Sequence, residues 1–148
     1  MNSRMIIMAS VLSLVCLNLG AQEGASWKVV LNKKTILVGT NADDTAKNHI
    51  RIKKADLSNN GVFKIDYTEA PNSPKGWNRS IAIFDTSSTA MVQRDSTNSF
   101  YLYNRDLMKV LWSRKKVIVY TWSMPSDPSM AAAIRLRRIP LCTIESAE

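Results

Sequence analysis

The chain has 148 residues, a formal net charge of +8, two cysteines and a single histidine. Too few ligands are present for zinc sites built from histidine and cysteine, or for type-1 copper sites that need two histidines and a cysteine. The positive balance points to acidic partners, or to a charged surface that keeps a domain soluble.

At the N-terminus, Met1-Asn2-Ser3-Arg4 carries one positive charge. The apolar run Met5–Leu19 follows, and then the small residues Gly20 and Ala21. Charged start, short apolar middle and small-residue end are the parts of an export signal, expected to be helical and to be cleaved after Ala21. The run includes Ser10, Ser13 and Asn18 and is shorter than the roughly 20 residues of a spanning helix, so no transmembrane segment is expected after cleavage. Cys16 follows Val15 and is itself followed by apolar sequence, a departure from the lipid-attachment pattern.

The 148 residues less residues 1–21 leave a single domain, 22–148, large enough to bury a core. It keeps 19 of the 20 Lys+Arg, since only Arg4 is removed, against 12 Asp+Glu, a formal +7. Of the cysteines only Cys142 remains. No internal disulfide can then form, although a secreted or periplasmic location permits one, and burial is the expected fate of the thiol. Export also shifts the expected partner from nucleic acid to an acidic protein, a glycan or an anionic lipid surface.

In chain order, Trp27–Leu31 and Thr35–Val38 read as two strands separated by polar residues. His49–Lys53 alternates strictly, placing Ile50 and Ile52 on one face. Asn60-Gly61 tolerates the positive φ of a tight turn. Val62–Tyr67 is the next strand, followed after a Pro-rich loop by Arg79–Asp85, with Ile81 and Ile83 inward and Ala82 and Phe84 on the other face. Ala90–Arg94 and Phe100–Tyr103 are further strands. Asn104 has the side chain of an N-cap for a short helix over 105–113, with Leu107, Val110 and Leu111 inward and Arg114, Lys115 and Lys116 complementing its C-terminal end. Val117–Trp122, apolar on both faces, reads as a central strand. The loop around Met124–Pro128 then leads to a last long strand, Ala132–Leu141. The sum is an all-β, immunoglobulin-like antiparallel sandwich of about seven or eight strands with one short helix. The Cys–Trp–Cys signature of true immunoglobulin domains is absent, so the label is architectural.

Site chemistry is sparse. His49 and Cys142 are the one conceivable nucleophilic pair, but parity sends His49 outward with Arg51 and Lys53. Asp43-Asp44 alone falls far short of a calcium shell. No catalytic residue, metal or cofactor is therefore assigned. The most regular pattern is charge alternating with aliphatics in His49–Lys54 and in Ile134–Ile139. Read as strands, these present Arg51 and Lys53, and Arg135 and Arg137, on outer faces, with a bulge expected near Arg137-Arg138. Guanidinium and ammonium groups so placed suit carboxylates, sulfates and phosphates, or else form a solvated face with protected edges. Trp77, among polar residues beside a loop, is a candidate stacking or anchor residue. Trp27, Trp112 and Trp122 lie in apolar patterns and read as core. The function expected is an exported, non-enzymatic binding or accessory module for an acidic envelope or extracellular partner. The alternatives are a small secreted enzyme with carboxylate-based chemistry and an inhibitor or immunity-type protein.

Overall fold

Nine strands, two α-helices and two single-turn 3-10 helices (Thr45–Lys47 and Lys54–Leu57) make up the computed structural model, which describes residues 24–147. The expected export signal, residues 1–21, lies outside the described residues. The strands are β1 (Ser26–Leu31), β2 (Lys34–Thr40), β3 (His49–Lys53), β4 (Val62–Thr68), β5 (Trp77–Asp85), β6 (Ala90–Arg94), β7 (Ser99–Tyr103), β8 (Lys116–Pro125) and β9 (Ile139–Ala147). Helix α1 (Asn104–Arg114) joins β7 to β8, and the one-and-a-half-turn α2 (Pro128–Ala133) precedes β9. One sheet has the order β2-β1-β4-β7 and the other β3-β9-β8-β5-β6. All pairings are antiparallel except β3 with β9, which is parallel.

Period-2 alternation explains why the sheets face one another. Val29, Phe63, Ile65 and Phe100 project from the four-stranded sheet, and Ile81, Ile83, Val119 and Ile144 from the five-stranded one, all fully buried in a shared core. Leu107 and Leu111, one turn apart on α1, close one end of that core with Leu57. The β1–β2 connection is a two-residue turn with Asn32 at φ 51° and Lys33 at φ 69°, the paired positive φ that matches strand twist in tight hairpins.

The two sheets are also tied by one hydrogen bond. Register shifts between β8 and β9 so that Val119 faces Cys142 while Tyr120 faces Pro140. Leu141 is therefore an extra residue, a bulge whose carbonyl has left the regular ladder. Trp27 Nε1 on β1 donates to that oxygen at 3.0 Å across the interior. Gly39, the residue opposite Trp27 on β2, makes room for the indole: a Cβ there would stand 2.5 Å from the ring. Trp27 in turn stacks on its other cross-strand neighbour, Tyr67, with planes 2° apart.

Three local expectations are corrected, besides the tight turn at Asn60-Gly61, which is not formed: neither residue has a positive φ, and β3 and β4 on either side of it belong to different sheets. The last strand does not cover Ala132–Leu141. Asp127 caps a helix start by accepting from Ser129 N, Pro128 occupies the first turn, and the chain is helical to Ala133 and irregular over 134–138. The strand begins at Ile139 and uses Leu141, Cys142 and Ile144 as its buried residues. Ile134 and Leu136 remain 38% and 39% exposed, so their alternation never met a partner strand, and the expected bulge near Arg137-Arg138 sits instead at Leu141. Second, Asn104 is not a cap. It is the first residue of α1 and fully buried, and its amide donates to Asn32 Oδ1 (2.8 Å) and Asn59 Oδ1 (2.6 Å), pinning two turns to the helix. Third, Trp112 is not core: it is 60% exposed.

The expected two-sided burial of β8 is present. On its outer face Trp122 and Tyr120 group with Ala82 and Phe84 of β5. Arg138 lies over Phe84 and Trp122, with its guanidinium carbon 4.4 Å and 5.8 Å from the ring centroids.

Candidate binding groove

The five residues singled out in the sequence fall in three places. Trp77 opens β5 and is half-buried, beside a small pocket shared with Glu69, Arg79 and Ser123. Arg79, two residues on, is only 7% exposed, and three of its five N–H donors are engaged. Nη2 donates to Glu69 Oε2 at 2.9 Å, Nε to Glu69 Oε1, and Nη1 to Thr121 Oγ1 at 3.0 Å, while the guanidinium lies 4.0 Å from the Tyr67 ring centroid. Such a forked pair spends an arginine's directional donors on the fold.

Arg51 and Lys53 project from the outer face of β3, and both are exposed, as alternation requires. Glu145, cross-strand from Arg51 on β9, stands among these cations: one of its oxygens is 2.9 Å from His49 Nε2 and 4.0 Å from Arg51 Nε. Arg135 and Arg137 are exposed in the irregular segment before β9. Ile139 opens β9, whereas Arg51 lies level with Glu145. Arg138 of the same segment lies over Phe84 of β5 and Trp122 of β8, three and two strands across the sheet from β3. The structure does not bring them together. Nor does it join His49 to Cys142. His49 lies outside the sheet against Glu145, while Cys142 is buried inside, its thiol pushed up to about 12 by burial.

A different constellation is assembled at the α1 end. Leu107 and Leu111 occupy the stripe of α1 that enters the core. Met108 and Trp112, spaced i, i+4, form the adjoining stripe, and Lys115, the C-cap at φ 54°, follows at its end. That stripe overhangs a groove of about 240 Å³ floored by Ile52 of β3 and Leu57. Lys54 reaches over it, with Nζ 4.1 Å from the Trp112 ring centroid. A second, longer gap of about 500 Å³ runs along β3 between the sheets, where Ile50 and Ile52 face Leu31 and Ile36, with Lys34 and Arg51 at the rim. Ile52 lines both; the first, under α1, is an apolar trough bordered by Lys54 and Lys115.

Chemically, the trough offers an apolar floor, an exposed indole and ammonium groups with hydrogen-bonding capacity to spare. Among the described residues no group of three His, Cys, Asp or Glu side chains is placed to hold a metal ion. Among them, too, no helix is long and apolar enough to cross a membrane. No protein-family model matches the chain, and no curated protein matches it.

Trp112 and Lys115 were missed because Trp112 reads as core when the apolar pattern is taken without angles. The angular signal was present. At 100° per residue Trp112 sits 100° from Leu111, outside the stripe that an 11-residue helix seated on a sandwich end can bury.

Proposed function

We propose that this chain is an exported, non-enzymatic binding module that takes an acidic envelope or extracellular partner in the trough between α1 and β3. The observation that carries the reading is the exposed Trp112 stacked under Lys54, beside Lys115, over the apolar floor of Ile52 and Leu57. Exposed tryptophans over apolar pockets are the residues around which binding energy concentrates. Cations at the rim add selectivity for acidic groups and speed encounter. A secreted or periplasmic location follows from the N-terminal pattern of charge, apolar run and small residues. The immunoglobulin-like label is kept in its architectural sense alone, for two facing and largely antiparallel sheets with a strand order of their own.

The test is binding of the exported protein to poly-glutamate across a salt series. Expected are affinity that falls steadily with ionic strength and a loss of about tenfold in Trp112→Ala. Salt-independent binding, or a Trp112→Ala protein that binds like the parent, would overturn the reading. N-terminal sequencing of the soluble exported form checks the export half: a chain starting near Gln22 supports it, and retained Met1 refutes it.

A further inference from the structure

We infer that the free edge of β3 accepts an extended segment of alternating apolar and acidic residues as an added strand. The inference rests on the binding reading above and specifies the mode and the partner's sequence pattern. Four observations meet on this edge.

First, β3 ends the five-stranded sheet, and no strand pairs with its other side among the described residues. Its five residues pair with β9 without a register shift, so the edge is straight. By contrast β2, the edge strand of the facing sheet on this side, is interrupted by a shift at Ile36.

Second, the backbone groups on that edge are open. Thr143 N donates to Asn48 O at 2.8 Å, which sets the phase of the parallel ladder. In a parallel pair alternate residues bond to the neighbour, so Ile50 and Ile52 turn their N–H and C=O toward β9. His49 and Arg51 turn theirs outward. The next outward amide, Lys53 N, already donates to Asp56 Oδ2 at 3.0 Å, which bounds the site at that end.

Third, the gap beside β3 between the sheets gives the added strand's inward side chains an apolar surface, made by Ile50 and Ile52 with Leu31 and Ile36. Fourth, the outward side chains of such a strand would lie alongside His49, Arg51 and Lys53. Glu145 from β9 faces the first two, and Asp56 lies at the far end. Arg51 and Lys53, with Lys34 at the rim of the gap, stand against the carboxylates of Glu145 and Asp56, an excess of positive charge that favours acidic residues in the partner. Because side chains alternate across a strand, apolar must alternate with acidic in the partner. Strand addition draws affinity from main-chain hydrogen bonds and specificity from the alternate side chains.

The probe is an acetylated, amidated hexapeptide alternating Glu and Val, compared with a peptide of the same composition in which three Glu precede three Val. The alternating peptide is expected to bind at least tenfold more tightly and to slow amide hydrogen exchange at His49 and Arg51. Arg51→Ala should weaken it about threefold through the lost charge. Arg51→Pro, which also removes an outward N–H while leaving the β9 ladder intact, should weaken it about tenfold further. Thermal unfolding of each variant checks that it is folded, and the exchange measurement on the parent protein needs no variant.

If the alternating peptide binds but Arg51→Pro matches Arg51→Ala and the two amides stay unprotected, strand addition is wrong while the acidic-partner reading stands. If the block-ordered peptide binds equally well, the alternation is wrong. If neither peptide binds but poly-glutamate does in a Trp112-dependent manner, the occupant is not a strand. If vesicles rich in anionic lipid bind and neither peptide does, the partner is a membrane surface and the inference fails.

Discussion

Two cations lie over aromatic rings at almost the same distance, 4.0 Å for Arg79 over Tyr67 and 4.1 Å for Lys54 over Trp112. Their surroundings differ. Arg79 is 7% exposed, forked onto Glu69 and bonded to Thr121, whose hydroxyl donates in turn to Ser80 O. Trp112 is 60% exposed, and its lysine stands at the rim of a groove. The first pair is buried, spends three of the guanidinium's five N–H donors on the fold and braces β4, β5 and β8. The second has an open ring edge and free donors. A contact distance therefore does not separate a structural pair from a recognition pair; burial and the count of unspent hydrogen-bonding groups do.

Substitutions that split the two pairs by stability and by binding sharpen this contrast. The largest stability effect is expected at Arg79→Met, which leaves Glu69 and Thr121 without their partner. A loss of about 2–3 kcal/mol in denaturant unfolding is expected, below the full value for a buried pair because Glu69 is one-third exposed and can rehydrate. Affinity for poly-glutamate should not change. Trp112→Ala should do the reverse, with unfolding free energy within about 0.5 kcal/mol of the parent while binding falls. A destabilised Trp112→Ala, or a stable Arg79→Met, would erase the distinction.

The smallest effect concerns a third, intermediate pair, Arg114 with Asp85 at 3.1 Å. The backbone N–H of Thr89 chiefly, then that of Ser87 and the Arg114 guanidinium, hold the Asp85 carboxyl below its ordinary value of 3.8 against the opposing effect of burial. A carboxyl depressed in the folded state contributes stability above its unfolded value and loses it as pH falls through the folded one. Melting temperature should thus be insensitive to this group at pH 5–7 and decline below about pH 4. In Asp85→Asn that acid decline should be shallower; an unchanged decline would remove Asp85 from the account.

Much of the framework was legible from residue pattern. Strands β1 to β8 lie within a few residues of where alternation puts them, and the inward Ile81 and Ile83 against the outward Ala82 and Phe84 are as read. The basic site was half legible. Arg51 and Lys53 face outward as parity demands, but Arg135 and Arg137 do not join them, and the groove's Trp112, Lys54 and Lys115 were not singled out. The failures share a cause. Ile134-Arg135-Leu136-Arg137 alternates as well as β3 does, yet a strand needs a neighbour with a free ladder, and β8 paired with Ile139–Glu145 instead. Asn104 had the chemistry of a cap, but two turns distant in sequence claimed its amide.

Local pattern determined what depends on near neighbours: the strand periodicities and the apolar stripe of α1. Only the tertiary structure decided which strands became edges, where the Leu141 bulge sent its carbonyl, and that Lys54 comes to rest over Trp112. Those are contacts between residues far apart in the chain, set by which sheet order buries the most apolar surface while leaving the fewest polar groups unpaired.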